Sequence, residues 1–143
     1  MSDWFYIGVD IVRVLVERNQ SLFANAKRRF PYADITRQML PRADLILCRD
    51  CLVHLSFDDI RLALRNFHRS GATYLPTTNF GPHRINEAIA TGDWRPLNFQ
   101  AEPFNFPPPL RRLVEGCAEM NSAYADKSLS LWRLQGHSRL YLK

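Results

Sequence analysis

Three short stretches of this chain end in groups that do chemistry in α/β proteins. Asp10 closes the apolar run Tyr6-Ile7-Gly8-Val9, Asp34-Ile35 follows Phe30 to Ala33, and Cys48-Arg49-Asp50 follows Ala43 to Leu47. In open α/β sheets ligands bind beyond the carboxyl ends of the strands, so strand-final residues are the first candidates. An acid such as Asp10 can accept hydrogen bonds from both hydroxyls of a ribose. An Asp-Ile pair can take the amino group of an adenine on the carboxylate and pack the apolar side chain on the ring. Cys48, Arg49 and Asp50 would then lie nearest the reacting group. Each acid alone has a plainer account, because Asp readily caps a helix. Three strand ends in this order carry more information than any one of them.

The third stretch also reads as Cys48-Arg49-Asp50-Cys51, with His54 three residues on and Cys117 far away. A C-x-x-C can hold zinc or form a redox pair. With no second closely spaced pair, the reading adopted is a buried strand-end cysteine and a loop cysteine, with no metal. Three cysteines cannot all pair, and reduced thiols are expected.

The elements that must position these groups follow from periodicity. Tyr6–Asp10 reads as a buried parallel strand, and Val12, Leu15, Val16, Leu22 and Phe23 then share one face of a helix. Phe30–Thr36 reads as a second strand, with Pro31 near its start. Ala43–Cys48 is the most continuous apolar run and reads as a buried strand. Ser56, with Asp59 three residues later, predicts a capped helix carrying Ile60, Leu64 and Phe67 inward and stopping at Gly71. Thr73–Asn79 reads as a strand despite Pro76. Phe80 to Pro109 has no periodicity and is rich in aromatics, which suits a site wall or lid. Asp50, His54, Asn79, Trp94 and Phe104 are the candidates for the substrate side. Leu110–Cys117 fits either a strand or a helix, and Ser128–Leu134 alternates as a strand. The order predicts an open α/β sheet ending in a β-hairpin, one domain over 1–134 and a tail over 135–143.

Composition narrows the function classes. The chain is 46% hydrophobic and 23% charged, as ordinary soluble domains are. It has no run of roughly 20 apolar residues to cross a membrane and no signal-peptide pattern, so a cytoplasmic location is expected. The net charge of +5 is scattered, and Arg61, Arg65 and Arg69 fall at the spacing of a solvated helix face. Nucleic acid is not indicated as a partner.

The runs YIGVDIVRVLVERNQ, YADIT, LPRADLILCRDCLVHLSFDDIRLALRNF and TYLPTTNF resemble class I methyltransferases that use S-adenosylmethionine. The later GDWRPLNFQAEPFNFPPP and ADKSLSLWRL resemble one bacterial branch of them. The resemblance implies a Rossmann-like sheet, with Asp10 and its neighbour Ile11 at the ribose and Asp34-Ile35 at the adenine. Cys48 and Arg49 would border the methionine part, and Asp50 and His54 the substrate. The sequence departs from the pattern at its start. A first strand and a glycine-rich turn should precede the ribose acid by roughly 20 residues. Only nine residues precede Asp10, and Met1-Ser2-Asp3-Trp4-Phe5 contains no glycine. The expectation is therefore a truncated class I methyltransferase fold lacking its first strand and helix, with weak or absent binding of S-adenosylmethionine. Completed by that part, the chain would transfer a methyl group to an unknown acceptor. The alternative is a catalytically inactive remnant acting as a binding or interaction module. The missing strand would lie between Tyr6–Asp10 and Asp44–Cys48, so self-association through that gap or low stability is expected, with Val9, Ile46 and their neighbours exposed or buried against a partner.

Overall fold

The computed structural model describes residues 4–135. Apart from Gln135, the tail expected over 135–143 lies outside the described residues, as do Met1, Ser2 and Asp3.

Helix formation is clearest where local signals agree. In α2 (Phe57–Arg69) the Ser56 hydroxyl accepts from the Asp59 N–H at 3.2 Å, and Asp58 and Asp59 occupy the positive end of the helix dipole. Ile60, Ala63, Leu64 and Phe67 are buried, and the chain turns out of the helix at Gly71 with φ +84°. α1 (Arg13–Phe23) also forms where the periodicity puts it, yet it buries no residue, and Val14 is 72% and Leu22 59% exposed.

The larger sheet is built on β3 (Tyr74–Asn79), β4 (Arg111–Val114) and β5 (Ser128–Arg133) in the order β3-β5-β4. β5 runs antiparallel to both neighbours, with Tyr74 opposite Arg133, Asn79 opposite Ser128 and Leu113 opposite Leu129. Leu110–Cys117 thus resolves as a strand, and the hairpin of β4 and β5 forms as expected. On the far side of β3 the Leu45–Cys48 segment lies parallel, through isolated bridges at Leu45–Tyr74 and Cys48–Thr77. Pro76 explains why this ladder is broken. Its carbonyl accepts from the Cys48 N–H at 2.9 Å, so the side of β3 on which Pro76 has no N–H is the side facing this segment. The β5 ladder is untouched.

The register sorts the sheet into two faces. Ile46, Cys48, Leu75, Thr77, Ser128, Ser130 and Trp132 turn to the core with α2 and the aromatics of the long loop. Leu45, Leu47, Tyr74, Pro76, Leu113, Leu129 and Leu131 turn the other way. Leu45 is 51% and Leu47 60% exposed, so the expectation of a strand buried on both faces is corrected: the described residues cover only one face. The uncovered apolar groups are these leucines, while Val9 and Ile46 pack against the core.

The N-terminal part forms a second, two-stranded sheet. β1 (Tyr6–Ile7) is parallel to β2 (Arg28–Arg29), with a further bridge between Asp10 and Tyr32. The second strand therefore starts before Phe30, and the chain turns at Asp34, whose carbonyl accepts from the Arg37 and Gln38 N–H groups. Among the described residues β1 pairs with β2 alone and Leu45–Cys48 with β3 alone.

Phe80 to Pro109 forms no regular element but does much of the packing. Leu97, Phe99, Phe104 and Phe106 are buried, and Phe99 lies 5.8 Å from the Trp132 ring centre. Arg95 is buried too; its guanidinium donates to the carbonyls of Val53 at 2.9 Å and Leu55 at 2.8 Å, locking the loop to the turn before α2.

Candidate cofactor and acceptor site

The carboxyl ends of β1, Leu45–Cys48 and β3 carry the candidate groups. Asp10 Oδ1 accepts from the Val12 N–H at 2.8 Å, a local cap that leaves Oδ2 without a partner among the described residues. Its charge reaches the Cys51 thiol, so the ends of β1 and Leu45–Cys48 are neighbours in space. Ile11 beside it is 57% exposed.

Asp34 is more committed. Its Oδ1 accepts from the Thr36 hydroxyl at 2.7 Å and the Thr36 N–H at 2.9 Å, and Arg37 Nε lies 3.6 Å from Oδ2. The Thr36 hydroxyl, ahead of the Thr36 N–H and Arg37, holds this carboxyl below its usual range against partial burial. The Ile35 carbonyl accepts from Asn66 Nδ2 at 2.8 Å, and the Ile35 side chain packs on the core. An adenine at this turn would compete with bonds already made.

Cys48 is buried, and its thiol is pushed well up by the hydrogen bond with Cys51 and by burial. The same hydrogen bond pushes the half-buried Cys51 thiol down, against burial and Asp10. Arg49 leaves the strand toward solvent and donates from Nε to Glu115 Oε1 at 2.7 Å. Asp50 turns through φ +52°, and its N–H donates to Thr78 Oγ1 at 2.7 Å. Burial opposes ionisation of Asp50, but Lys127, Arg49 and Thr78 outweigh it and hold the carboxyl below its usual range.

The substrate-side candidates divide. The exposed His54 ring meets the Asp93 carbonyl at 2.9 Å through Nδ1; a carbonyl only accepts, so Nδ1 carries the hydrogen of this bond. Trp94, 41% exposed, stands edge-on to Phe80 and to Tyr124, with ring centres 6.1 and 5.0 Å away. Asn79 is buried at the end of β3, accepting from the Phe99 N–H at 2.8 Å and donating to the Phe80 carbonyl at 3.0 Å. Phe104 is buried in the core, 5.6 Å from the Phe57 ring. The structure sets Cys48, Arg49, Asp50 and Asn79 at the end of β3 and of the segment parallel to it, and Asp10 in the other sheet, its charge reaching Cys51. It joins His54 to the Trp94 loop, and it leaves Asp34 in its own turn.

Sequence reasoning missed Thr78, Glu115, Lys127, Tyr124 and the Arg84–Asp126 pair. Asp126 accepts from Arg84 and from the Gly81 N–H at 2.8 Å, fixing the loop after β3 to the start of β5. The only signal for it was Gly81, where a Cβ would come 3.0 Å from Asp126 Oδ2. Among the described residues no three His, Cys, Asp or Glu side chains converge as metal ligands. A surface depression of about 850 Å³, lined by Ile7, Gln20, Arg28 and Phe30 among others, contains none of the candidate residues.

No family model matches the sequence, and no curated protein is similar to it in sequence. Solved structures match it in shape. Human N-acetylserotonin methyltransferase, solved in complex with S-adenosylmethionine, is 13% identical over 89% of this chain and 39% of that one, with a TM-score of 0.61. A TehB-like S-adenosylmethionine-dependent methyltransferase from Corynebacterium glutamicum is 14% identical over 87% of this chain and 65% of that one, with a TM-score of 0.56. This chain therefore spans less than two thirds of the length of either. The described residues carry part of the class I fold of S-adenosylmethionine-dependent methyltransferases.

Proposed function

We propose that this chain supplies the nucleoside-binding and acceptor-facing part of a methyl-transfer site that takes its methyl group from S-adenosylmethionine. The observation that carries this reading is that Asp10 follows β1 of the parallel β1–β2 pair and Cys48, Arg49 and Asp50 follow a segment parallel to β3, with the charge of Asp10 reaching the Cys51 thiol. Asp10, with its uncommitted carboxylate oxygen, addresses the ribose, with Ile11 beside it. Asp34 and Ile35 border the adenine, and Cys48 and Arg49 the methionine part. Asp50, His54 and Trp94 face the acceptor, supported from the core side by Asn79 and Phe104. When bound, the cofactor supplies an electrophilic methyl group; the chain's contribution is to hold donor and acceptor in line.

Isothermal calorimetry with S-adenosylhomocysteine tests this. The expected affinity of the chain alone is weaker than micromolar, about −8 kcal/mol. Asp10→Ala is expected to remove what binding there is, and Asp58→Ala, on the exposed start of α2, to leave it unchanged. Binding indifferent to Asp10→Ala overturns the assignment. Micromolar binding by the chain alone overturns the expectation of a weak grip.

A second reading, a catalytically inactive interaction module, is favoured by the edges of β1 and Leu45–Cys48, unpaired among the described residues, and by the prior commitment of Asp34. Transfer of labelled methyl from S-adenosylmethionine to any acceptor by the chain alone would remove that reading.

A further inference from the structure

The methyl-transfer reading gives Cys51 no role, yet its thiol is hydrogen-bonded to that of Cys48, and both are free thiols. The backbone brings the two sulfurs together. Cys48 is pinned at the end of its segment: its N–H donates to the Pro76 carbonyl at 2.9 Å, and its carbonyl accepts from the Thr77 hydroxyl at 2.7 Å. Asp50 then turns the chain through φ +52°. Cys51 opens the short 3₁₀ turn Leu52–His54, its carbonyl accepting from the His54 N–H at 3.0 Å. Leu52 and Val53 are buried, and the Leu52 N–H donates to the Cys48 sulfur, which folds this turn back onto that sulfur. Two cysteines can be bridged when their side chains converge, and sulfurs already in hydrogen-bond contact meet that requirement with little movement of the backbone.

The two sulfurs differ in access. Cys48 is 7% exposed, whereas Cys51 is half-buried, so a molecule arriving from solvent meets Cys51 first. Cys48 lies behind it, in contact. An accessible thiol backed by a buried one is the arrangement of an attacking and a resolving cysteine. The hydrogen bond from Cys48 also favours the Cys51 thiolate, against burial and the Asp10 charge.

We propose that Cys48 and Cys51 form a reversible disulfide by exchange with a low-molecular-weight disulfide such as oxidised glutathione. In the first step the Cys51 thiolate attacks one sulfur of the oxidant. A bond forms between Cys51 and one glutathione, the oxidant's S–S bond breaks, and the other glutathione leaves with the proton that Cys51 gave up. In the second step Cys48 loses its proton and attacks the Cys51 sulfur, expelling the second glutathione, which takes that proton up. Two protein thiols are thereby oxidised to one disulfide, and one glutathione disulfide is reduced to two thiols. The exchange takes place between Asp10, whose charge reaches Cys51, and Asp50, which precedes Cys51 in the chain. The inference stands on this bend and does not depend on cofactor binding.

Oxidised glutathione added to the reduced full chain at neutral pH, followed by acid quenching, alkylation and peptide mass spectrometry, reads both steps. Wild type is expected to accumulate a Cys48–Cys51 disulfide that dithiothreitol reverses. Cys48→Ala should trap glutathione on Cys51 as a lasting mixed disulfide, and Cys48→Ser gives the same readout should the alanine variant lose its fold by circular dichroism. Cys51→Ser should slow modification of Cys48 by at least about tenfold, because the accessible attacking thiol is gone. Cys117→Ser is the control and should leave the Cys48–Cys51 disulfide unchanged. Glutathione retained on Cys51 of the wild type without a disulfide overturns the proposal, as does a wild type whose Cys48 and Cys51 do not react. Modification of Cys48 ahead of Cys51, or a disulfide that joins either to Cys117, also overturns it.

Discussion

Lys127 Nζ lies 2.8 Å from Asp50 Oδ1, joining the bend after Leu45–Cys48 to the start of β5 across 77 residues of sequence. The same ammonium lies 3.6 Å from Glu115, so one lysine ties three segments of the strand-end edge together. Asp50 turns the chain there through the left-handed region, which Asp adopts more readily than most residues with a side chain.

A double-mutant cycle with Lys127→Met and Asp50→Asn is expected to give a coupling energy of about 1 kcal/mol, the upper part of the range for partly exposed ion pairs. Urea unfolding of the four proteins measures it. A coupling indistinguishable from zero would show that the pair is incidental.

Asp126 gives the chain a pH dependence of known sign. Arg84 first, and then the Gly81 N–H, hold its carboxyl far below the usual range despite partial burial. A depressed folded-state pKa contributes stability that is complete above the unfolded value of about 4 and is lost as pH falls below it. The stability difference between wild type and Asp126→Asn should therefore be largest at neutral pH and shrink steadily from about pH 4 downward. Chemical unfolding at pH 7, 4 and 3 reads this, and a difference that does not change with pH contradicts it.

The cysteines should differ in reactivity. Cys48 is buried with its thiol pushed up by Cys51 and by burial, while Cys51 is half-buried with its thiol pushed down by Cys48. Because the thiolate is the nucleophile, timed alkylation with iodoacetamide followed by peptide mass spectrometry is expected to label Cys51 well before Cys48. Labelling in the reverse order would mean that the bend opens more readily than the strand-end packing implies.

Two glycines predict opposite reasons for intolerance. At Gly8 a Cβ would come 2.8 Å from Phe30 Cδ1, so Gly8→Ala must displace that ring and is expected to cost about 1–3 kcal/mol. At Gly71 nothing lies within 4 Å, but φ is +84°, so Gly71→Ala strains the backbone alone, by roughly 1–2 kcal/mol. Gly71→Asn, better suited to positive φ, should recover part of the second loss. Thermal unfolding of the three variants is the measurement.

What the sequence alone determined is whatever is encoded by neighbours a few residues apart. Ser56, Asp59, Gly71 and the Ile60-Leu64-Phe67 stripe define α2 because capping, dipole and helical period all act within a turn or two. The strand-end positions of Asp10, Cys48 and Asp50 were legible for the same reason, since an apolar run ending in a polar group is a local pattern. Only the tertiary structure decided what those groups touch. The Ala43–Cys48 run is apolar at nearly every position, so it has no alternation from which to tell that Ile46 and Cys48 face the core while Leu45 and Leu47 face outward. α1 shows the same limit: its apolar face is read from period, but burial needs enough neighbours, and its contacts with Phe30 and Tyr32 leave none of its residues buried. Asp34 looked free to bind a ligand and is engaged by Thr36 two residues on, because the expected strand gives way to a turn. Lys127, Glu115 and Thr78 carry no local signal at all. Their place beside Asp50 follows from the strand order, in which β5 inserts beside β3, and that order is settled by which faces can be buried together rather than by any residue's own neighbours.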